Sequence, residues 1–137
     1  MIGILIVAHG NLGESFIQCA SHVLGYWPEK LEALGVSDSD DPKDILERAK
    51  QCVKRLDSGD GVLIFSDMYG ATPSNIICAL LEPGRIEGVT GISLPMLMRA
   101  LTYRNDPLLD VVSKAVSSGS EGVVQITQDI CYVASKR

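Results

Sequence analysis

Along this chain, unbroken apolar runs alternate with stretches in which apolar residues recur at helical spacing. Residues 2–8 are almost wholly apolar, the pattern of a strand covered on both faces. From Ser15 the period lengthens: Phe16, Ala20, Val23 and Leu24 predict a helix stopped by Gly25. Residues 31–36 read as a weaker strand. Asp41 then supplies an N-cap with Pro42 at the first helical position, and Ile45, Ala49, Cys52, Val53 and Leu56 form one apolar stripe. Residues 61–66 predict a second central strand. Thr72 as N-cap, followed by Pro73, opens a helix to about Leu81 that Pro83 and Gly84 end. Beyond it the pattern predicts a short strand at 89–94 and a short helix at 96–103. A helix over 107–117 carrying Leu109, Val112 and Val116 and a last strand at 122–127 complete the set.

Strands alternating with helices imply βαβ crossovers. The expected fold is α/β, a three-layer α/β/α arrangement around a mainly parallel, doubly wound sheet. The 137 residues suffice for one domain, 1–137, with a core of its own. A hydrophobic fraction of 46% with only 5% aromatic residues makes that core aliphatic. The formal charge of -5, with no cluster of Lys and Arg, argues against a nucleic acid or an acidic membrane surface as partner. The apolar start lacks the basic flank and cleavage site of a signal peptide. No run approaches the length of a membrane span, so a cytoplasmic protein without membrane insertion is expected. Cys19, Cys52, Cys78 and Cys131 show no metal or redox spacing, and helical cysteines of this kind are expected to act as small buried hydrophobes.

The chemistry-bearing residues fall where strands end. His9 follows the first strand and precedes Gly10; Asp67 follows the strand at 61–66. In open α/β sheets, ligands bind outside the carboxyl ends of the strands. If these two strands are neighbours, the Asp67 carboxylate can accept the Nδ1 hydrogen of His9. That tautomer leaves Nε2 with a free lone pair, an oriented nucleophile near neutral pH. The backbone amides of Gly70, Ala71, Thr72 and Ser74, at the start of a helix, would add an anion-binding corner. A nucleophilic imidazole beside such a corner points to phosphoryl transfer through a phosphohistidine. Each residue alone has a plainer reading: His9 as a rim residue, Asp67 as a turn former and Thr72 as a helix cap. His22 reads as part of a solvated helix face, and the four aspartates of 37–44 as a loop running into an N-cap. Arg99 and Arg104 read as surface charges. No nucleotide-binding glycine motif or nucleophile elbow occurs, and neither a metal nor a cofactor is expected.

Taken together, IGILIVAHG, GVLIFSDMYGATPSN, GISLPML and EGVVQI resemble the enzyme IIA component of the mannose-fructose-sorbose class in the bacterial phosphoenolpyruvate-dependent sugar phosphotransferase system (PTS). The resemblance covers nearly the whole chain. It implies a phosphocarrier that accepts phosphate on His9 Nε2 from the histidine phosphocarrier protein, with Asp67 orienting the ring, and passes it to a IIB component; with the sequence ending at Arg137 and carrying no IIB domain, a free-standing IIA is expected. It also implies a homodimer in which the last strand, antiparallel, is exchanged between subunits. Family members usually place two glycines before the Ser or Thr that follows the aspartate's loop, whereas this chain has Gly70, Ala71 and Thr72. A regulatory protein, whose His9 phosphorylation state controls a partner without sugar transport, is the alternative.

Overall fold

The computed structural model describes residues 1–135. Four strands form one sheet: β1 (Gly3–His9), β2 (Leu31–Val36), β3 (Val62–Ser66) and β4 (Ile86–Val89). Their order is β2-β1-β3-β4 and every pairing is parallel. The helices are α1 (Leu12–Leu24), α2 (Pro42–Leu56), α3 (Thr72–Leu80), α4 (Leu94–Thr102), α5 (Leu108–Glu121) and α6 (Gln128–Ser135).

Because side chains alternate across a strand, β1 feeds two cores at once. Ile4, Ile6 and Ala8 join Leu63 and Phe65 in a cluster under α1, α4 and α5. Leu5 and Val7 join Val62 and Ile64 in a second cluster under α2 and α3. Residues Ile4 to Ala8 are without solvent exposure. Burying each of the large aliphatics stabilises the fold by roughly 1.5–3 kcal/mol, which makes β1 the mechanical axis of the molecule. The expected three-layer, doubly wound architecture is therefore the observed one.

The chain runs from β1 to β2 on one side, then crosses back to β3 on the other. The carboxyl ends of β1 and β3 flank the point where the order reverses, and a crevice opens there in such sheets. Gly10 turns the chain out of β1 with φ +56. Gly35 on β2 makes room for that turn, since a Cβ on it would lie 2.2 Å from the Gly10 carbonyl oxygen.

The structure corrects several sequence expectations. The fourth strand is Ile86–Val89 rather than 89–94, because Ser93 is committed to capping α4, accepting from the Met96 amide. Thr72 is the first residue of α3, not its cap; Ala71 holds the cap position and no side chain caps the helix. The buried stripe of α5 is Leu108, Val111, Ala115 and Ser118, one residue out of phase with expectation, so Leu109 and Val116 face solvent. On α1, Gly13, Ile17 and Ala20 are buried, Phe16 and Leu24 are partly buried, and Val23 is exposed. Only Cys52 of the four cysteines is buried. The α2 stripe is as expected, with Asp41 capping through a hydrogen bond from the Lys43 amide.

The largest departure is at the C-terminal end. Residues 123–127 form no ladder, and the following helix, α6, was not expected. Apolar alternation defines a face but not a partner, and a strand exists only where another strand completes its hydrogen bonds. Val123 and Ile126 are 84% and 78% exposed.

Candidate active site

His9 and Asp67 meet at the crevice. Val7 of β1 pairs with Ser66 of β3, which brings the two strand ends to one rim. His9 Nδ1 lies 2.7 Å from Asp67 Oδ2, and the His9 backbone N–H donates to the same oxygen at 3.1 Å. The other carboxylate oxygen, Oδ1, accepts from the Met68 amide at 3.0 Å. The aspartate is thus tied to the histidine through both ring and backbone, and the ring cannot swing without losing a charge-assisted contact.

The two partners differ in exposure. The Asp67 side chain is 12% exposed and that of His9 48%. Partial burial alone would raise the Asp67 carboxyl. Hydrogen bonds from the His9 ring and backbone, with the attraction of the imidazole, outweigh it and hold the group below the usual carboxylate range. Asp67 is therefore an anion at neutral pH, facing Nδ1. Nε2 has no hydrogen-bond partner among the described residues, and the ring that carries it is half exposed.

The helix-start residues Gly70, Ala71, Thr72 and Ser74 form a separate turn with no hydrogen bond to His9. Gly70, at φ +83, donates its amide to the Ser74 hydroxyl at 2.9 Å. The Ser74 hydroxyl in turn donates to the Ala71 carbonyl at 3.0 Å. Thr72 and Ser74 occupy the first and third positions of α3, where backbone N–H groups have no acceptor within the helix. The Gly70 amide, by contrast, is already engaged. Near this turn Met68 and Tyr69 are 57% and 82% exposed, which leaves the approach to the rim apolar and open.

The remaining candidates separate cleanly. His22 is exposed on α1, as expected. In the aspartate-rich loop, Asp40 accepts from the Ser37 amide and hydroxyl while Asp41 caps α2, and no metal-holding group of three acidic, His or Cys side chains occurs among the described residues. Arg99 is exposed. Arg104, expected at the surface, is instead buried, and its guanidinium donates to the carbonyls of Ile2, Glu29 and Lys30. Nothing local in the sequence signals this, because every acceptor lies more than 70 residues away.

The structure is thus a parallel doubly wound α/β sheet with a His–Asp pair and a half-exposed imidazole at its switch point. Residues 3–117 match the family described as PTS system fructose IIA component, and the chain belongs to that family, the mannose/fructose type of PTS enzyme IIA. It is 30% identical over 125 residues to the PTS system mannose-specific EIIAB component of Escherichia coli K12, a match that spans 89% of this chain and 38% of that protein. It is 34% identical over 114 residues to the transcriptional regulatory protein LevR of Bacillus subtilis, covering 82% of this chain and 11% of LevR. The chain thus spans well under half the length of both relatives. Among solved structures, phosphotransferase system component EIIA from Streptococcus agalactiae superposes with a TM-score of 0.81 at 28% identity, over 91% of this chain and 97% of that one.

Proposed function

We propose that this chain, read as a single domain over 1–137, is a phosphocarrier of the sugar phosphotransferase system with His9 as its phosphorylated residue. The observation that carries the reading is the 2.7 Å contact between His9 Nδ1 and Asp67 Oδ2 on a half-exposed ring. The Nε2 lone pair attacks the phosphorus of a phosphohistidine on the histidine phosphocarrier protein. A nitrogen-phosphorus bond forms on His9, and the electron pair of the broken bond returns to the donor's imidazole. The ring gains positive character as this bond forms, and the Asp67 carboxylate at Nδ1 stabilises it. The amides of Ala71, Thr72 and Ser74 are the groups of the turn left to receive phosphoryl oxygens. The reverse sequence, with a IIB component as acceptor, unloads His9. No metal or cofactor enters this scheme.

No helix among the described residues is long and apolar enough to cross a membrane, in keeping with a protein that meets its donor in the cytoplasm. The exposed Val123, Val124 and Ile126 suit burial against a second copy, in which the segment 122–127 would gain the strand partner it lacks. The likeness to LevR supports a second reading, in which the phosphorylation state of His9 is read by a regulatory partner instead of being passed on.

The test is incubation with phosphoenolpyruvate, enzyme I and the phosphocarrier protein, followed by intact and native mass measurement. One phosphoryl group per chain is expected, labile in acid and stable in base, on a dimer. His9→Ala should abolish the label and His22→Ala should leave it. A chain that stays unlabelled beside an active donor system would overturn the proposal.

A further inference from the structure

We propose that the Ser74 hydroxyl is a positioning residue for the His9–Asp67 pair, an inference that rests on the reading of His9 as the phosphoryl acceptor. The segment between Asp67 and α3 is pinned at both ends. At its start, the Asp67 carboxylate accepts from His9 and from the Met68 amide. At its close, the Ser74 hydroxyl spans Gly70 and Ala71, accepting from one amide and donating to the next carbonyl.

The second clasp is unusual for a helix start. A side chain at the third helical position commonly reaches back to the amide of the cap residue while the cap side chain reaches forward. Here the cap is Ala71, which has no hydroxyl, and Pro73 has no N–H to give. Ser74, 7% exposed, reaches one residue further back, to Gly70. Both functions of its hydroxyl, donor and acceptor, are satisfied within the turn. Gly70 itself brings no side chain to hold the turn, and its φ of +83 is a conformation that glycine adopts without cost. Gly70 has no β-carbon and Ala71 no hydroxyl, so beside the Asn75 amide that donates to the Ala71 carbonyl, the hydroxyl of Ser74 is the group that ties residues 70 and 71 together in the distal half of the loop that carries Asp67.

Its loss would leave the fold intact, because the core contacts of Ile76, Ile77 and Leu80 hold α3 in place. It would free residues 68–71 to move and let the carboxylate drift from Nδ1. Transfer of a phosphoryl group between two rings is sensitive to such drift, since displacements near 1 Å cost up to about a hundredfold in rate.

The test compares wild type, Ser74→Ala and Ser74→Thr, with melting temperature recorded for each. Two quantities are read: the single-turnover rate of phosphoryl acceptance at saturating donor, and the 15N chemical shifts of the His9 imidazole, which report the Nδ1-H tautomer and need no donor. Ser74→Ala is expected to accept phosphoryl about tenfold more slowly, half of that hundredfold on a logarithmic scale, and to shift both ring nitrogens toward a mixed tautomer. Ser74→Thr, which keeps the hydroxyl, should restore rate and shifts to within about twofold of wild type. Unchanged imidazole shifts in Ser74→Ala would overturn the inference whatever its rate, as would equal slowing in the alanine and threonine variants. Failure of the wild type to accept phosphoryl overturns the reading of His9 instead, while the shifts still decide whether Ser74 positions the pair.

Discussion

The two rims of the sheet hold their charged groups in opposite ways. At the amino ends of the strands, Arg104 is buried and its guanidinium is spent on the carbonyls that precede β1 and β2, with Ile2 and Lys30 each accepting at less than 3 Å. At the carboxyl ends, His9 is half exposed and only one of its ring nitrogens is engaged. The same backbone topology thus produces a closed end and an open end. A charge whose donors are all directed inward stabilises without reacting; a ring with one nitrogen fixed and one free is poised for chemistry.

The largest effect that separates the rims is expected from Asp67→Asn. The amide can donate to Nδ1 and favour the wrong tautomer, so phosphoryl acceptance should slow by about two orders of magnitude or more. Melting temperature should hardly move. A wild-type rate in this variant would reduce the carboxyl rim to ordinary turn chemistry. Arg104→Met should do the reverse. Carbonyls at the amino rim lose their donors, offset in part because no guanidinium need be buried, for a net loss of about 2 kcal/mol. A drop of about 8 °C in melting temperature follows at this chain length. Transfer rate in the folded protein should stay at the wild-type value, and a coupled loss of rate would show that the rims are not independent.

The smallest effect concerns pH. The Asp67 carboxyl sits below its ordinary value in the folded chain, so the unfolded chain binds its proton first as pH falls. The stability it contributes is complete above about pH 4, the ordinary carboxylate range, and is lost as pH falls through the lower folded value. Asp57 acts in the same direction, held low chiefly by the Gly59 amide, with the Gly61 amide and Arg85 adding to it against a partial burial that opposes them. An acid titration of Asp67→Asn followed by circular dichroism should therefore show a shallower loss of stability below pH 4 than wild type. Identical acid limbs would mean that the open rim stores no stability in its pair.

How far the sequence exposes this arrangement depends on the range of each interaction. His9 and Asp67 are legible because each closes a run of buried aliphatics, and strand ends are where such sheets bind ligands. Their adjacency is not legible, since it follows from the strand order and not from any local pattern. The cap of α3 lies one residue earlier than Thr72 because a proline fits the first or the second helical position alike, and the register is set by the backbone, with Ala71 extended and its carbonyl accepting from the Asn75 amide. Arg104 stands between Tyr103 and Asn105 in a polar turn, and its acceptors come from residues 2, 29 and 30. On α5, Leu108 and Leu109, and likewise Val111 and Val112, are apolar neighbours, so the pattern allows two phases and tertiary packing selects one. At the C-terminal end, Val123, Val124 and Ile126 make an apolar segment, and a strand needs a partner that lies outside the segment itself.

Gly35 stands on an edge strand, 26 residues from His9 in sequence, where replacements are usually tolerated. The oxygen of Gly10 occupies the space a β-carbon would need, at 2.2 Å. Site-saturation libraries aimed at the His9–Asp67 rim would pass over this position, yet a single added methyl there has to push the turn that carries the imidazole. Residue 35 is therefore a steric dial on His9, operated from a strand that contributes no side chain to the His9–Asp67 pair.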